Sequence, residues 1–136
     1  MPRYLNPKTV PAPASRYSQA VAVGAPFKRL IISGQLGIAP DGVLAAGIDA
    51  QMAQAWDNVL ALVAAADLEP TDLVKTTVYV TVPGSVALYR KLREAKLGKH
   101  QPAATYLEIA GLARPEFLVE IEAEAVREAA AARQAS

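Results

Sequence analysis

Leu118-Val119-Glu120-Ile121-Glu122-Ala123 reads as a β-strand whose two faces disagree. Two-residue alternation puts Val119, Ile121, Ala123 and Ala125 on an apolar face, and Leu118, Glu120, Glu122 and Glu124 on the other. The apolar face fits under helices. The acidic face then looks toward a cleft or a second chain, because carboxylates are costly in a dry core unless paired. Glu122 and Glu124 read as solvated or ion-paired edge residues. Glu120, at the strand start beside a loop over 112–116, is placed to orient a water molecule or accept its proton.

Outward from that strand (117–126) the pattern resolves into alternating elements. Residues 1–15 carry Pro2, Pro7, Pro11 and Pro13 and predict an extended arm. Strands are expected over 17–23 and 29–33, joined at Gly24-Ala25-Pro26 as a hairpin. Turn residues from Gly34 to Gly47 suggest an irregular third strand. Met52, Trp56, Val59, Leu60 and Val63 recur at helical spacing, which predicts a helix over 50–66 with Asp49 as N-cap. A Val- and Thr-rich alternating run predicts a strand over 73–82. A second helix is expected over 86–97, capped by Ser85 and stopped by Gly98. A short strand follows over 105–109, and an Ala-rich frayed tail over 127–136 ends the chain.

The result is one α+β domain spanning 1–136, with two helices on one face of a mixed sheet. Nothing remains to cover the other face. An uncovered apolar sheet face predicts self-association.

Composition excludes several classes. There are no cysteines, so disulfides, thiolate catalysis and cysteine-ligated zinc are out. The single histidine, His100, reads as a surface loop residue, too isolated for a metal site. Net charge is +1 and there is no basic run, which argues against nucleic acid as a partner. Lys91, Arg93, Lys96 and Lys99 read as one solvated helix face. No signal-peptide pattern or membrane-length apolar run is present, so a cytoplasmic location with no membrane partner is expected.

Other polar residues sit at strand ends. Tyr17 opens the first expected strand and is either an amphipathic core edge or a group that stacks over, or donates to, a planar ligand. In Ser33-Gly34-Gln35 the glycine permits a bulge or a close backbone approach, and the plain alternative is a strand-ending turn.

Taken in order, Arg16-Tyr17-Ser18-Gln19, Ser33-Gly34-Gln35, Lys75-Thr76-Thr77-Val78-Tyr79-Val80, Gly98 through Pro102-Ala103, and Leu112-Ala113-Arg114-Pro115 leading into Leu118-Val119-Glu120-Ile121-Glu122 resemble the Rid family (RidA/YjgF-like) over residues 10–126. The resemblance implies a chorismate-mutase-like subunit that assembles as a homotrimer around a sheet-lined barrel, with small-molecule clefts between subunits. It implies hydrolytic deamination of 2-imino or 2-enamino acids, with no metal or organic cofactor. Carried across, Glu120 positions the attacking water, Tyr17 completes the cleft, and Ser33-Gly34 supplies backbone groups. Ala104, Thr105 and Tyr106 line the pocket. The family's carboxylate-binding arginine follows the Pro-Ala pair, and here Ala104 stands in its place, as in arginine-lacking subgroups of the family. Arg90 or Arg114 would have to bring charge from another direction. Without that charge the pocket is expected to suit a neutral or planar ligand. Three readings stay open: a cofactor-independent hydrolase, a non-catalytic small-molecule-binding trimer, and a ribonuclease, the last disfavoured by charge.

Overall fold

The computed structural model describes residues 1–9, 12–13 and 16–129. Part of the expected arm and residues 130–136 of the expected tail lie outside them. The elements are β1 (Arg3–Leu5), β2 (Ala20–Ala22), β3 (Phe27–Leu36), α1 (Gly47–Ala65), β4 (Leu73–Val80), α2 (Val86–Leu97), β5 (Ala103–Glu108) and β6 (Val119–Glu128), with a 3-10 turn at Pro70–Asp72. The main sheet runs β3-β6-β4-β5, and only the β4–β5 pair is parallel. That pair is joined through α2, the long crossover that a parallel connection requires.

The α+β class with two helices and a mixed sheet holds. α1 packs on β3 and β6, and α2 packs on α1. Trp56, Met52, Val59 and Val63 of α1 are fully buried against Val78, Val80, Val119 and Ile121. The β6 alternation is as read: 119, 121, 123 and 125 are buried, while 120, 122 and 124 are only partly covered.

Several local expectations change. The 17–23 and 29–33 strands do not form a hairpin. β2 pairs instead with β1 from the expected arm, Leu5 opposite Ala20 and Arg3 opposite Ala22. Tyr17 lies before β2. The third strand reduces to one isolated bridge, Ile38 to Leu44. α1 begins at Gly47, whose φ of 87° suits glycine; Asp49 sits inside the first turn and Ala46 holds the cap position. α2 has the expected bounds, but the Ser85 hydroxyl donates to the Val82 carbonyl at 2.7 Å and caps nothing. β6 continues to Glu128, so the start of the expected tail is strand.

The sheet face away from the helices is more polar than the sequence suggested. It carries Lys75, Thr77, Tyr79, Glu120, Glu122 and Glu124, each half-buried. Ile31 is 66% exposed opposite Glu124. Self-association through this face would therefore bury a mixed surface and not a greasy one.

Candidate functional site

The first half-site forms where β3 bulges. Register against β6 runs Ile32 to Ala123 and then Gln35 to Ile121, so one extra residue is accommodated at Ser33-Gly34. Glu120 follows immediately on β6, opposite Leu36 on one side and Tyr79 on the other. Its carboxylate fills the space that a side chain on Gly34 would need: a Cβ there would stand 1.9 Å from Oε1. The bulge and the missing side chain thus seat one acid. Beyond it the Tyr79 hydroxyl donates to Glu122, which holds the phenol proton on and pushes its pKa up.

The second half-site lies between α2 and β5. Tyr17, Val86, Tyr89, Arg90, Arg93, Ala104 and Tyr106 line a cavity of about 270 Å³. The segment carrying Tyr17 is tied to the start of β5: the Ser18 amide donates to the Pro102 carbonyl at 2.9 Å, and the Ser18 hydroxyl donates to the Gln101 carbonyl. Arg16 is paired with Glu94 of α2. The Tyr89 and Tyr106 rings stack at 4.9 Å with 30° between planes. The Tyr106 hydroxyl donates to Glu108 Oε2 at 2.8 Å, and the same oxygen accepts from the Gly84 amide at 3.0 Å.

Burial first, and then the Glu108 hydrogen bond and charge, push the Tyr106 phenol up to about 12. A folded pKa above the ordinary 10.0 favours the neutral form. The stabilisation it brings is present below the ordinary value and is lost as pH rises through the folded one. An alkaline absorbance titration should therefore show one tyrosine ionising near pH 12. Tyr106→Phe should remove that step; a step that persists would mean that another phenol carries it.

The sequence-derived residues thus fall into separate places. Tyr17, Arg90, Ala104 and Tyr106 share the α2/β5 cavity. Ser33, Gly34 and Glu120 cluster at the bulge, and none of them lines that cavity. Thr105 alternates to the opposite side of β5 from Ala104, where its hydroxyl accepts from Lys75 Nζ at 2.6 Å. Burial there lowers the Lys75 pKa, against the pull of Glu122. Arg114 is exposed on the 112–116 loop, 3.9 Å from Glu116, beside a different cavity with Thr81, Gly111 and Phe117.

Three cavity residues escaped the sequence reading, Val86, Tyr89 and Arg93. Arg93 does not belong to a solvated face; it is 2% exposed. The signal was available, since Tyr89, Arg93 and Leu97 follow one another at four-residue steps and form a single buried stripe. His100 is half-buried, its Nε2 2.7 Å from the Leu73 carbonyl and its ring edge-on to Tyr4. Among the described residues no group of three or more His, Cys, Asp or Glu is placed to hold a metal. No described helix is long and apolar enough to cross a membrane.

Gln51 of α1, buried at 3% exposure, holds the approach to β6. Its Nε2 donates to the Glu116 carbonyl at 3.1 Å, and its Oε1 accepts from the Leu118 amide at 2.9 Å.

Comparison with known proteins agrees with this fold. Residues 7–127 match the sequence profile of the family described as Endoribonuclease L-PSP. The chain is 37% identical over 131 residues to the 2-iminobutanoate/2-iminopropanoate deaminase of Escherichia coli K12, covering 93% of this chain and 99% of that one. A Rid-family protein of unknown function from Yersinia pestis superposes with a TM-score of 0.81 at 30% identity, covering 91% of this chain and 97% of that one. Escherichia coli TdcF, solved with bound serine, superposes with a TM-score of 0.69 at 28% identity, covering 93% of this chain and 99% of that one. The chain belongs to the Rid family, matched under the description Endoribonuclease L-PSP.

Proposed function

We propose that the chain works as a homotrimer in which the bulge half-site of one subunit faces the α2/β5 cavity of its neighbour, and that this cleft hydrolyses a C=N bond in a small metabolite. The observation that carries the reading is the Glu120 carboxylate, seated on Gly34 at a bulge and, among the described residues, not absorbed into an ion pair. Within one chain the acid and the tyrosine-lined cavity are separate; assembly supplies the reason for both. The barrel arrangement also gives the half-buried stripe of Lys75, Thr77, Glu122 and Glu124 a partner.

In the reaction, Glu120 accepts a proton from water as the water oxygen bonds to the imine carbon, and passes that proton to the nitrogen to give a carbinolamine. The hydroxyl proton of the carbinolamine then moves by way of Glu120 to the amino group as the C–N bond breaks, so that ammonia leaves, the carbonyl forms and Glu120 returns to its starting carboxylate. The deaminase relative makes imino acids the natural first substrates to try. Ala104 offers them no charge from β5, however, which also motivates a second reading: a trimer that binds a small metabolite and leaves it unchanged. Arg90 and Arg93, which line the α2/β5 cavity, and exposed Arg114, on the loop leading to β6, are the candidate cations for such a cleft.

The test is ammonia release from freshly generated 2-iminopropanoate, measured above the spontaneous rate alongside sedimentation of the protein. A trimer that accelerates hydrolysis is expected, and Glu120→Gln should cut that acceleration by about 10²–10⁴-fold. Turnover unchanged in Glu120→Gln would overturn the role of Glu120. A folded trimer without turnover would favour the binding reading.

A further inference from the structure

The buried guanidinium of Arg93 has a use that the family resemblance did not supply. A leucine at this position would continue the stripe between Tyr89 and Leu97. A charge there must instead be desolvated, which costs several kcal/mol per ion. The surroundings hold it in a fixed pose. Nη1 donates to the Tyr89 hydroxyl at 3.1 Å, and the guanidinium carbon stands 5.0 Å from the centre of the Tyr89 ring. That ring stacks in turn on Tyr106. The cavity these groups line contains two guanidinium groups, Arg90 and Arg93, three phenols, Ala104 and Val86, and among the described residues no carboxylate. An anion entering meets two cations and no carboxylate in the described lining, Glu108 behind it being engaged by the Tyr106 hydroxyl and the Gly84 amide, at a site partly shielded from water, where such pairing is strong. The volume of about 270 Å³ admits on the order of ten non-hydrogen atoms at the packing of liquid water. The aromatic faces favour a flat ligand.

We propose that Arg93, with Arg90 on the exposed side, is the anion-binding group of this cavity, and that its ligand is a small planar monocarboxylate. The cation comes from α2 and not from β5, and the small side chain of Ala104 leaves the room in which the carboxylate sits. The assignment rests on the cleft reading above, but it concerns binding and not turnover.

The test compares crotonate with its neutral isostere crotonamide, titrated against the full chain by NMR with the tyrosine ring resonances assigned. Crotonate should bind at least tenfold more tightly and shift Tyr17, Tyr89 and Tyr106. Arg93→Gln should abolish the preference, and Arg90→Gln should weaken crotonate binding a few-fold. Ala104→Glu, which puts a carboxylate into the lining and leaves Arg93 in place, should abolish crotonate binding; it keeps the test decisive if Arg93→Gln fails to fold. No crotonate binding, equal binding of acid and amide, shifts confined to other residues, or an undiminished preference in folded Arg93→Gln or Ala104→Glu would each overturn the proposal. A wild type that discriminates yet hydrolyses nothing overturns the hydrolase reading alone. One that hydrolyses without discriminating overturns the assignment of Arg93 alone.

Discussion

Gly37→Ala should cost about 3 kcal/mol of stability, the upper end of what overpacking usually does, and lower the melting temperature by roughly 10 °C. A Cβ at Gly37 would lie 2.4 Å from the Gln51 Cα and 2.5 Å from the Gln51 carbonyl oxygen. Both atoms belong to the backbone of α1, so no rotamer change relieves the overlap. The strand end has little freedom to retreat either. Asn58 Nδ2 donates to the Leu36 carbonyl at 3.1 Å and to the Ile38 carbonyl at 2.8 Å, and the Gly37 carbonyl accepts from the Ala45 amide at 2.9 Å. Relief has to come from lifting the helix off the sheet, which opens the packing around Met52 and Trp56. Thermal unfolding followed by circular dichroism measures it. A melting temperature within a degree or two of wild type would show that the helix and sheet can separate locally at little cost.

Gly34→Ala should do the opposite: it keeps the fold and removes the proposed hydrolysis. The atoms that a Cβ would strike here are Oε1, Cδ and Cγ of Glu120, at 1.9, 2.7 and 2.8 Å. These belong to a flexible side chain, which swings aside with little damage to the sheet. The carboxylate then leaves its seat by an ångström or more, and misplacement on that scale is worth about 10²-fold in rate. Steady-state ammonia release lowered by about 10²-fold, with near-native melting, would match this expectation. Full activity in Gly34→Ala would show that the seat of Glu120 on Gly34 is incidental. The two glycines stand close together in β3 and its exit, yet one substitution is read by a melting curve and the other by an assay.

How much of this was visible in the chain depends on the range of the forces involved. The alternation of β6, the bounds of α2 and the irregularity at Ser33-Gly34 come from near neighbours in sequence, and they were legible. The partner of β2 was not, because three-residue strands carry no pattern that says which edge they join. Asp49 looked like a cap by residue type, but Gly47 reaches a left-handed φ that lets the helix begin earlier. Arg93 was misplaced because its charge was weighed with Lys91 and Lys96 and not with the apolar stripe through Tyr89 and Leu97. The division of the site into two places was beyond local reading altogether. Tyr17 and Ala104 are brought to one cavity by contacts between distant parts of the chain, among them the bond from Ser18 to Pro102.

The clasp made by Gln51 has one more implication. If β6 slid by a single residue against its neighbours, every side chain would change sides: Glu120, Glu122 and Glu124 would enter the core, and Val119, Ile121 and Ala123 would face out. Regular ladders of backbone bonds do not forbid such a slide, since each rung resembles the next. Gln51 does, because one amide grips the carbonyl before Phe117 and the N–H after it, and only one alignment satisfies both ends. It serves as a reading-frame marker, written on a helix and obeyed by a strand. Whether an acid or an isoleucine sits on Gly34 is settled by a glutamine on another element.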